Sequence, residues 1–378
     1  MSDQRKDRNA GVLVVGAGVS GLTCALSLRQ RGFAVTVVAD NFAPKVTSVV
    51  AGALWEWPPA VCGYHQDQQS LQRSKGWCVT SYRQFADLAR ASTPGVFMRS
   101  ATSYFKRPVQ ENPLHFTKMN ELKVRVDEFV HDAALIAANR VNPEIGIRDA
   151  YSHLAPMIDT DAYLAWLLNE VQQAGCRVVT RKITGNLIEQ EVSICREFGV
   201  DALVNCSGLR ARELVDDDLY PLRGALVRIV NDGRTMPRIT QAHCVAHDES
   251  SREQDMIFIV PRGADRLVLG GLTEPDEWGL DIGLHNYEPV RKMYERCVNF
   301  LPALKNAEID KSEPVRVGLR PVRRQNIRLE REPGTRIIHN YGHGGSGVTL
   351  SWGCAAEVAD SVERLLESFS LREISDCG

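Results

Sequence analysis

Three glycines stand in the pattern Gly16-Ala17-Gly18-Val19-Ser20-Gly21, directly after an apolar, valine-rich run, Gly11–Val15. The run reads as a buried parallel strand. Leu22, Ala25 and Leu26 then mark a helical apolar face that ends near Gly32. In this setting the first glycine permits the tight turn, the second lets backbone approach a pyrophosphate, and the third lets the helix lie close on the strand. The pyrophosphate would rest on the helix N-terminus, at Val19 and Ser20, where N–H groups lack partners inside the helix. A second apolar strand, Ala34–Ala39, ends at Asp40, nineteen residues after Gly21. An acid there accepts hydrogen bonds from ribose hydroxyls and disfavours a 2′-phosphate. The pattern is one of dinucleotide binding, and by itself it does not separate FAD from NAD.

The elements that must position this motif belong to a long chain. Its 378 residues suggest two domains, or one with a large insertion. Helical apolar faces are marked by Leu164, Leu167, Leu168 and Val171, and by Val290, Met293, Tyr294, Cys297, Phe300 and Leu301. A third, longer one carries Ala355, Val358, Ala359, Val362, Leu365 and Leu366. Strand-like runs cover Arg177–Thr180, Ala202–Asn205, 256–260, 267–269 and 337–339. The middle alternates strands and turns without regular βα units, which predicts a mixed sheet. The chemical motifs lie at opposite ends of the chain. The fold class expected is therefore α/β, with a discontinuous Rossmann-like unit (1–60, 155–215 and 310–378) and an inserted mixed-sheet unit (61–154 and 216–309).

Composition excludes several functions. A net charge of −2 argues against a nucleic-acid binder. No apolar run approaches the ~20 residues that span a membrane, and residues 1–10 have no signal-peptide core. Ten scattered cysteines without a CxxC pair read as reduced thiols of a cytoplasmic protein. The C-terminal Ser375-Asp376-Cys377-Gly378 is not a peroxisomal address. No metal is expected: His243 and His247 have helical metal spacing, but no third ligand is near and the segment reads as a loop.

Further blocks carry a family likeness. They are Ala39-Asp40-Asn41-Phe42-Ala43-Pro44 with Thr47-Ser48 and Ala51-Gly52-Ala53-Leu54-Trp55; Asn205-Cys206-Ser207-Gly208 with Ala211-Arg212-Glu213-Leu214; and Gly318-Leu319-Arg320-Pro321-Val322-Arg323. The most specific is His339-Asn340-Tyr341-Gly342-His343-Gly344-Gly345-Ser346-Gly347, followed by Thr349 and Trp352-Gly353-Cys354-Ala355. In this order they resemble the D-amino-acid oxidase and D-aspartate oxidase family, over about residues 12–366. The resemblance implies non-covalent FAD and a two-domain fold. It implies that Thr47 and Ser48 meet phosphate or ribitol, that Gly52, Ala53 and Leu54 lie at the flavin edge near N5, and that Lys182 and Ile183 flank the adenosine. Asn41, Ser207, Gly208, Gly344, Gly345, Ser346, Gly347, Val348 and Thr349 are implied cofactor contacts. The glycines before the last helix suit close approach to a planar ring, and that helix would turn its positive end toward the flavin.

Arg320 matches the family arginine that clamps the substrate carboxylate and borders the cofactor. A planar guanidinium suits this because it makes two parallel bonds to a carboxylate. Nearby Arg316, Arg323 and Arg324 read as surface residues. Elsewhere the pocket departs from the pattern. Phe258 stands where the family has a tyrosine that helps hold the carboxylate. Gln254 and Thr273 occupy two further tyrosine positions, and Thr273 is not the arginine of D-aspartate oxidases. Gly345 is expected at the pocket. Trp55 is read either as a pocket wall or as core packing, and Glu274 either as a partner for a polar substrate or as a solvated loop residue. The implied activity is oxidative deamination of a D-amino acid, by hydride transfer from Cα to flavin N5, with O2 reduced to H2O2. The implied partners are the amino acid and O2, and a homodimer is allowed for. The rivals are an FAD-dependent oxidase or dehydrogenase for a modified amino acid, a flavin binder without turnover, and an NAD-linked dehydrogenase.

Overall fold

In the computed structural model the described residues are 9–57, 65–245 and 255–375, with side chains described to residue 368. The strands are β1 Gly11–Val15, β2 Ala34–Ala39, β3 Val96–Phe105, β4 Val130–His131, β5 Asp149–Ile158, β6 Arg177–Thr180, β7 Ala202–Asn205, β8 Leu219–Val230, β9 Ala242–Val245, β10 Ile257–Arg262, β11 Arg266–Gly270, β12 Glu274–Pro275, β13 Val315–Arg323, β14 Arg328–Arg331 and β15 Ile337–Tyr341. The α-helices are α1 Val19–Gln30, α2 Gln68–Arg90, α3 Pro113–Leu122, α4 Ala134–Ala138, α5 Thr160–Gln173, α6 Glu191–Phe198, α7 Ala211–Leu214, α8 Glu288–Phe300 and α9 Gly347–Ser375.

Two sheets organise them. The first runs β14-β15-β7-β1-β2-β6 and is parallel except for β14. Its centre is β1, whose five residues are all buried. Alternation along the strand explains the unbroken apolar run. Val12 and Val14 join one core with Leu22, Ala25, Leu164 and Val358, while Leu13 and Val15 join another with Leu187, Ile194 and Leu214. A strand covered on both faces has no polar side to show. Three separated stretches of chain build this sheet, which is why the nucleotide motif needs both ends of the sequence.

The second sheet is mixed and runs β12-β8-β11-β10-β9-β3-β5-β4, with β13 paired along β8. On one face Ile257, Ile259, Leu267 and Leu269 pack with Val290, Met293, Cys297 and Phe300 of α8. The other face carries Ala101, Ala155, Ala242 and Val260 together with Leu54.

Several expectations change. β13 falls after residue 310 and β5 runs through residue 155, yet both pair in the mixed sheet, because their long antiparallel registers with β8 and β3 outweigh their place in the chain. His243 lies on strand β9, not in a loop; it is 2% exposed and its Nδ1 pairs with the Tyr104 hydroxyl at 2.8 Å. His247 lies outside the described residues. Among the described residues no three His, Cys, Asp or Glu side chains could hold a metal ion, and no helix is long and apolar enough to cross a membrane.

Candidate active site

The turn after β1 is built as the glycine spacing requires. Gly16 has φ +113°, and a Cβ there would lie 2.4 Å from the Cys206 carbonyl oxygen of the neighbouring strand end. A Cβ on Gly21 would lie 1.9 Å from the Gly16 oxygen, so α1 can reach the turn only with hydrogen at that place. Gly18 is the N-cap of α1 and has no side chain to satisfy the first N–H groups. Ser48, from another segment, supplies an acceptor instead: Val19 N–H donates to its Oγ at 3.0 Å.

Around this turn lies a cavity of about 340 Å³. Its wall brings together Gly16, Gly18, Val19, Ser20, Asp40, Asn41, Thr47, Ser48, Gly52, Ile183, Ser207, Gly208, Arg320, Gly344, Gly345, Gly347 and Val348. Gly21, Ala53, Leu54, Ser346 and Thr349 stand behind the wall, where Gly21 closes the turn and Leu54 joins the core under the mixed sheet. Lys182 is exposed and does not line the cavity; Arg181 and Ile183 do. The chain continues extended after β6, with Arg181 N–H bonded to Ala39 O at 2.8 Å, so alternate residues face alternate ways.

Three observations test whether this wall suits FAD. Two helices, α1 and α9, begin at the same cavity, and helix N-termini favour negatively charged groups. The Ser207 hydroxyl is buried with no hydrogen-bond partner among the described residues, and Ser207 lines the cavity. Glycine backbone, free of Cβ, forms the wall at Gly344, Gly345 and Gly347. The residues present fit the cofactor. Asp40 is reached by Arg210 Nη1 at 3.2 Å, and Arg210 Nη2 donates to Ile183 O at 2.8 Å. Arg210 thus ties Asp40 to the Ile183 backbone. It follows the Ser207-Gly208 block, but its partners are distant in sequence.

At the other end of the cavity, Arg320 lies over bare backbone. A Cβ on Gly224 would fall 2.2–2.4 Å from its guanidinium. Arg320 Nη1 makes long bonds to Arg223 O at 3.4 Å and Leu272 O at 3.3 Å. Phe258 does not line the cavity; its ring packs against Gly52, which does, and a Cβ on Gly52 would lie 2.6 Å from two of the ring carbons. Thr273 is half-buried just after β11, and Gln254 lies outside the described residues. Arg262, which sequence reasoning missed, holds the Gly52 edge. Its guanidinium donates to Ala51 O at 2.6 Å and to Thr160 Oγ1 at 2.5 Å, and Thr160 donates to Val49 O at 2.6 Å.

Other expected roles are corrected. The Glu274 carboxylate is taken up by Arg223 at 2.8 Å and the Tyr287 hydroxyl at 2.5 Å, so it neither serves a substrate nor stands in solvent. This network anchors the segment whose Leu272 carbonyl meets Arg320. Arg316 and Arg323 are largely buried in ion pairs with Asp161 and Asp217, not surface residues. Trp55 is core: it is 3% exposed, donates to Cys78 O at 3.0 Å, and packs edge-on against Tyr82.

The family model "FAD dependent oxidoreductase" (DAO) matches residues 11–361. The chain belongs to this family of FAD-dependent oxidoreductases. A D-amino-acid oxidase of Rubrobacter xylanophilus is 34% identical over 93% of this chain and 95% of its own. One of Streptomyces coelicolor is 34% identical over 93% and 97%. The glycine oxidase structure from Geobacillus kaustophilus shares the fold, with TM-score 0.72, 17% identity, and coverage of 94% and 95%. Within this oxidoreductase, His343 sits in the cavity wall, with Nε2 3.0 Å from Asn340 Oδ1. Burial pushes it, and also His153 and His243, down to about 4.

These folded-state values lie below the ordinary imidazole value, so the unfolded chain takes up protons first as pH falls. The stability they provide is full above pH ~6.5 and is lost progressively between there and pH ~4. At pH 5 the loss is on the order of 1–2 kcal/mol per ring. Tm at pH 5 is expected several degrees below Tm at pH 7.5; equal values would contradict the assignment of these rings as buried and neutral.

Proposed function

We propose that the chain oxidises a small D-amino acid to its imino acid, which water converts to the 2-oxo acid and ammonia, while dioxygen is reduced to hydrogen peroxide. The observation that carries this reading is the Arg320 guanidinium held over Gly224 at the cavity end, beside the Gly52 edge. The names of the two curated relatives support the D-series. When bound, FAD supplies a hydride acceptor at N5 and passes the electron pair to dioxygen. The chain does the rest by positioning. Arg320 grips the α-carboxylate with two parallel bonds and so fixes Cα, and with it which face of the substrate meets the cofactor. The Gly52 edge, backed by the Phe258 ring and braced by Arg262, excludes water from the reacting carbon. The substrate reacts as its free amine, the ammonium proton passing to solvent. The N-terminus of α9 turns its positive end to the charge that develops. In this reading the first sheet serves the cofactor and the mixed sheet, including β5 and β13, the substrate.

Incubating purified protein in air with paired D- and L-amino acids tests it. Equal amounts of peroxide and 2-oxo acid from the D-forms alone are expected; products from the L-forms would overturn it. A second reading, an oxidase or dehydrogenase for a modified amino acid, is favoured by Phe258, which offers the carboxylate no hydroxyl. Phe258→Tyr is accordingly expected to raise kcat/KM for D-alanine roughly 10-fold or more, since a bond to a charged group contributes ~1.5–3 kcal/mol. Steady-state kinetics checks it, and an unchanged value would mean that position 258 does not meet the carboxylate.

A further inference from the structure

Among the described residues three arginines are buried outright, Arg223, Arg228 and Arg262. Two are neutralised where they stand: Arg223 pairs with Glu274 at 2.8 Å, and Arg228 with Asp310 at 3.0 Å. Arg262 is 5% exposed and has no ion pair among the described residues. Its bonds go to neutral oxygens, those of Ala51, Gly52 and Thr160, and its Nε has no partner. Asp159 and Asp161 act on it only from a distance. Both are engaged elsewhere, Asp159 with the Asp161 N–H at 3.3 Å and Asp161 with Arg316 at 2.8 Å. Burial pulls the Arg262 guanidinium down to about 10, so it keeps its charge at neutral pH. A buried charge without a partner is costly, and its place beside the cavity gives it a use.

Arg262 Nη2 donates to Ala51 O at 2.6 Å and to Gly52 O at 3.3 Å. Val50, Ala51 and Gly52 line the cavity and Arg262 does not. The two carbonyls are therefore turned out of the wall, away from the cavity. In a planar trans peptide the N–H lies opposite the C=O. The N–H groups of Gly52 and Ala53, which share these two peptides, thus face the cavity side. Neither has an acceptor among the described residues. Ala53 has φ +54°, in the left-handed region that residues with a side chain seldom adopt. Strain of this kind persists where the surroundings enforce it, and it gathers at functional sites.

We propose that Arg262 is a positioning residue for the cofactor. It holds the Ala51 and Gly52 carbonyls so that the next two N–H groups meet the flavin ring, and its unpaired charge behind them raises the reduction potential of that ring. The inference rests on the reading above in placing the ring at the Gly52 edge. Reduction by two electrons and one proton leaves the ring with one negative charge. The oxidised ring is neutral and gains little from a nearby cation, whereas the reduced ring gains the full attraction. The N-terminus of α9 offers this charge a partial positive end. Arg262 adds a whole charge from a buried place, where solvent screens it little. A carboxylate bound to Arg262 would cancel the effect, and among the described residues none is bound there.

The test is the two-electron midpoint potential of FAD in the holoenzyme, from a dithionite titration against a reference dye with no substrate present. Arg262→Gln is expected to lower the equilibrium constant for reduction at least about 10-fold, which for a two-electron couple is ~30 mV. Arg262→Lys keeps the charge and is expected to stay within about 3-fold of the unaltered protein. A change below about 3-fold in Arg262→Gln overturns the proposal, as does a lysine variant that falls as far as the glutamine one. Damage to the fold alone would lower Tm and FAD content, and lysine would not rescue the potential. If Arg262→Gln holds no FAD, Thr160→Asp takes its place. It sets a carboxylate against the same guanidinium, in the first turn of α5 where an acid suits the helix. It too is expected to lower the constant about 10-fold, and an unchanged potential there overturns the proposal. Failure of the parent reading is distinguishable, because the titration needs no amino acid. A lowered potential in Arg262→Gln without oxidation of any D-amino acid by the unaltered protein removes the reaction and keeps the role of Arg262. Oxidation of D-amino acids with an unchanged potential does the reverse.

Discussion

Arg320→Leu is expected to retain flavin and to lower kcat/KM for D-amino acids by about 10²–10⁴-fold. The estimate takes two charge-assisted bonds at ~1.5–3 kcal/mol each and a factor of ten per ~1.36 kcal/mol. The geometry explains why the loss should fall on turnover. The guanidinium lies over Gly224, and its bonds to the Arg223 and Leu272 carbonyls are long. β13 keeps its full register with β8 through backbone alone. Arg320→Lys keeps the charge but loses the planar fork, and should fall between wild type and leucine. Anaerobic flavin reduction rates, measured alongside the flavin content of each variant, separate loss of substrate from loss of cofactor. A wild-type kcat/KM in Arg320→Leu would remove the carboxylate clamp from the account.

The second large effect is expected at Gly21→Ala. One methyl group placed 1.9 Å from the Gly16 carbonyl oxygen cannot be accommodated by a rotamer change, because both partners are backbone. α1 must move off β1 and the turn must open. Overpacking of this kind costs ~1–3 kcal/mol or more. The N-terminus of α1, capped from outside by Ser48, moves with it. FAD affinity is therefore expected to fall about 10–100-fold, with a lower Tm. Equilibrium dialysis of flavin against the variant checks the first and thermal unfolding the second. Full retention of FAD at wild-type Tm would show that the turn is not the phosphate cradle.

The parts of this site that were legible in the sequence are those whose physics is local. Gly16, Gly18 and Gly21 sit between a buried strand and a helix within a few residues, and Gly16 and Gly21 make the turn and the close packing that their spacing requires. Asp40 at the end of β2 and the glycines before α9 are likewise set by their immediate neighbours. What stayed hidden depends on contacts between distant residues. Arg210 matters because it reaches both Asp40 and Ile183. Arg262 matters because β10 carries it to the carbonyls of Ala51 and Gly52. Lys182 and Arg181 differ by one position, and one position decides which side of an extended chain faces the cavity. Glu274 was ambiguous because its partners, Arg223 and Tyr287, are 51 and 13 residues away. The membership of β13 in the mixed sheet is of the same kind, since pairing with β8 is a tertiary choice.

The measurement that most directly tests the central claim is the absorption spectrum of the purified protein during anaerobic addition of D- and L-amino acids. The account predicts a flavin band that D-amino acids bleach, L-amino acids leave intact, and air restores with release of hydrogen peroxide. A flavin band bleached by the L-forms instead, or one that no member of the D-series bleaches, would contradict it.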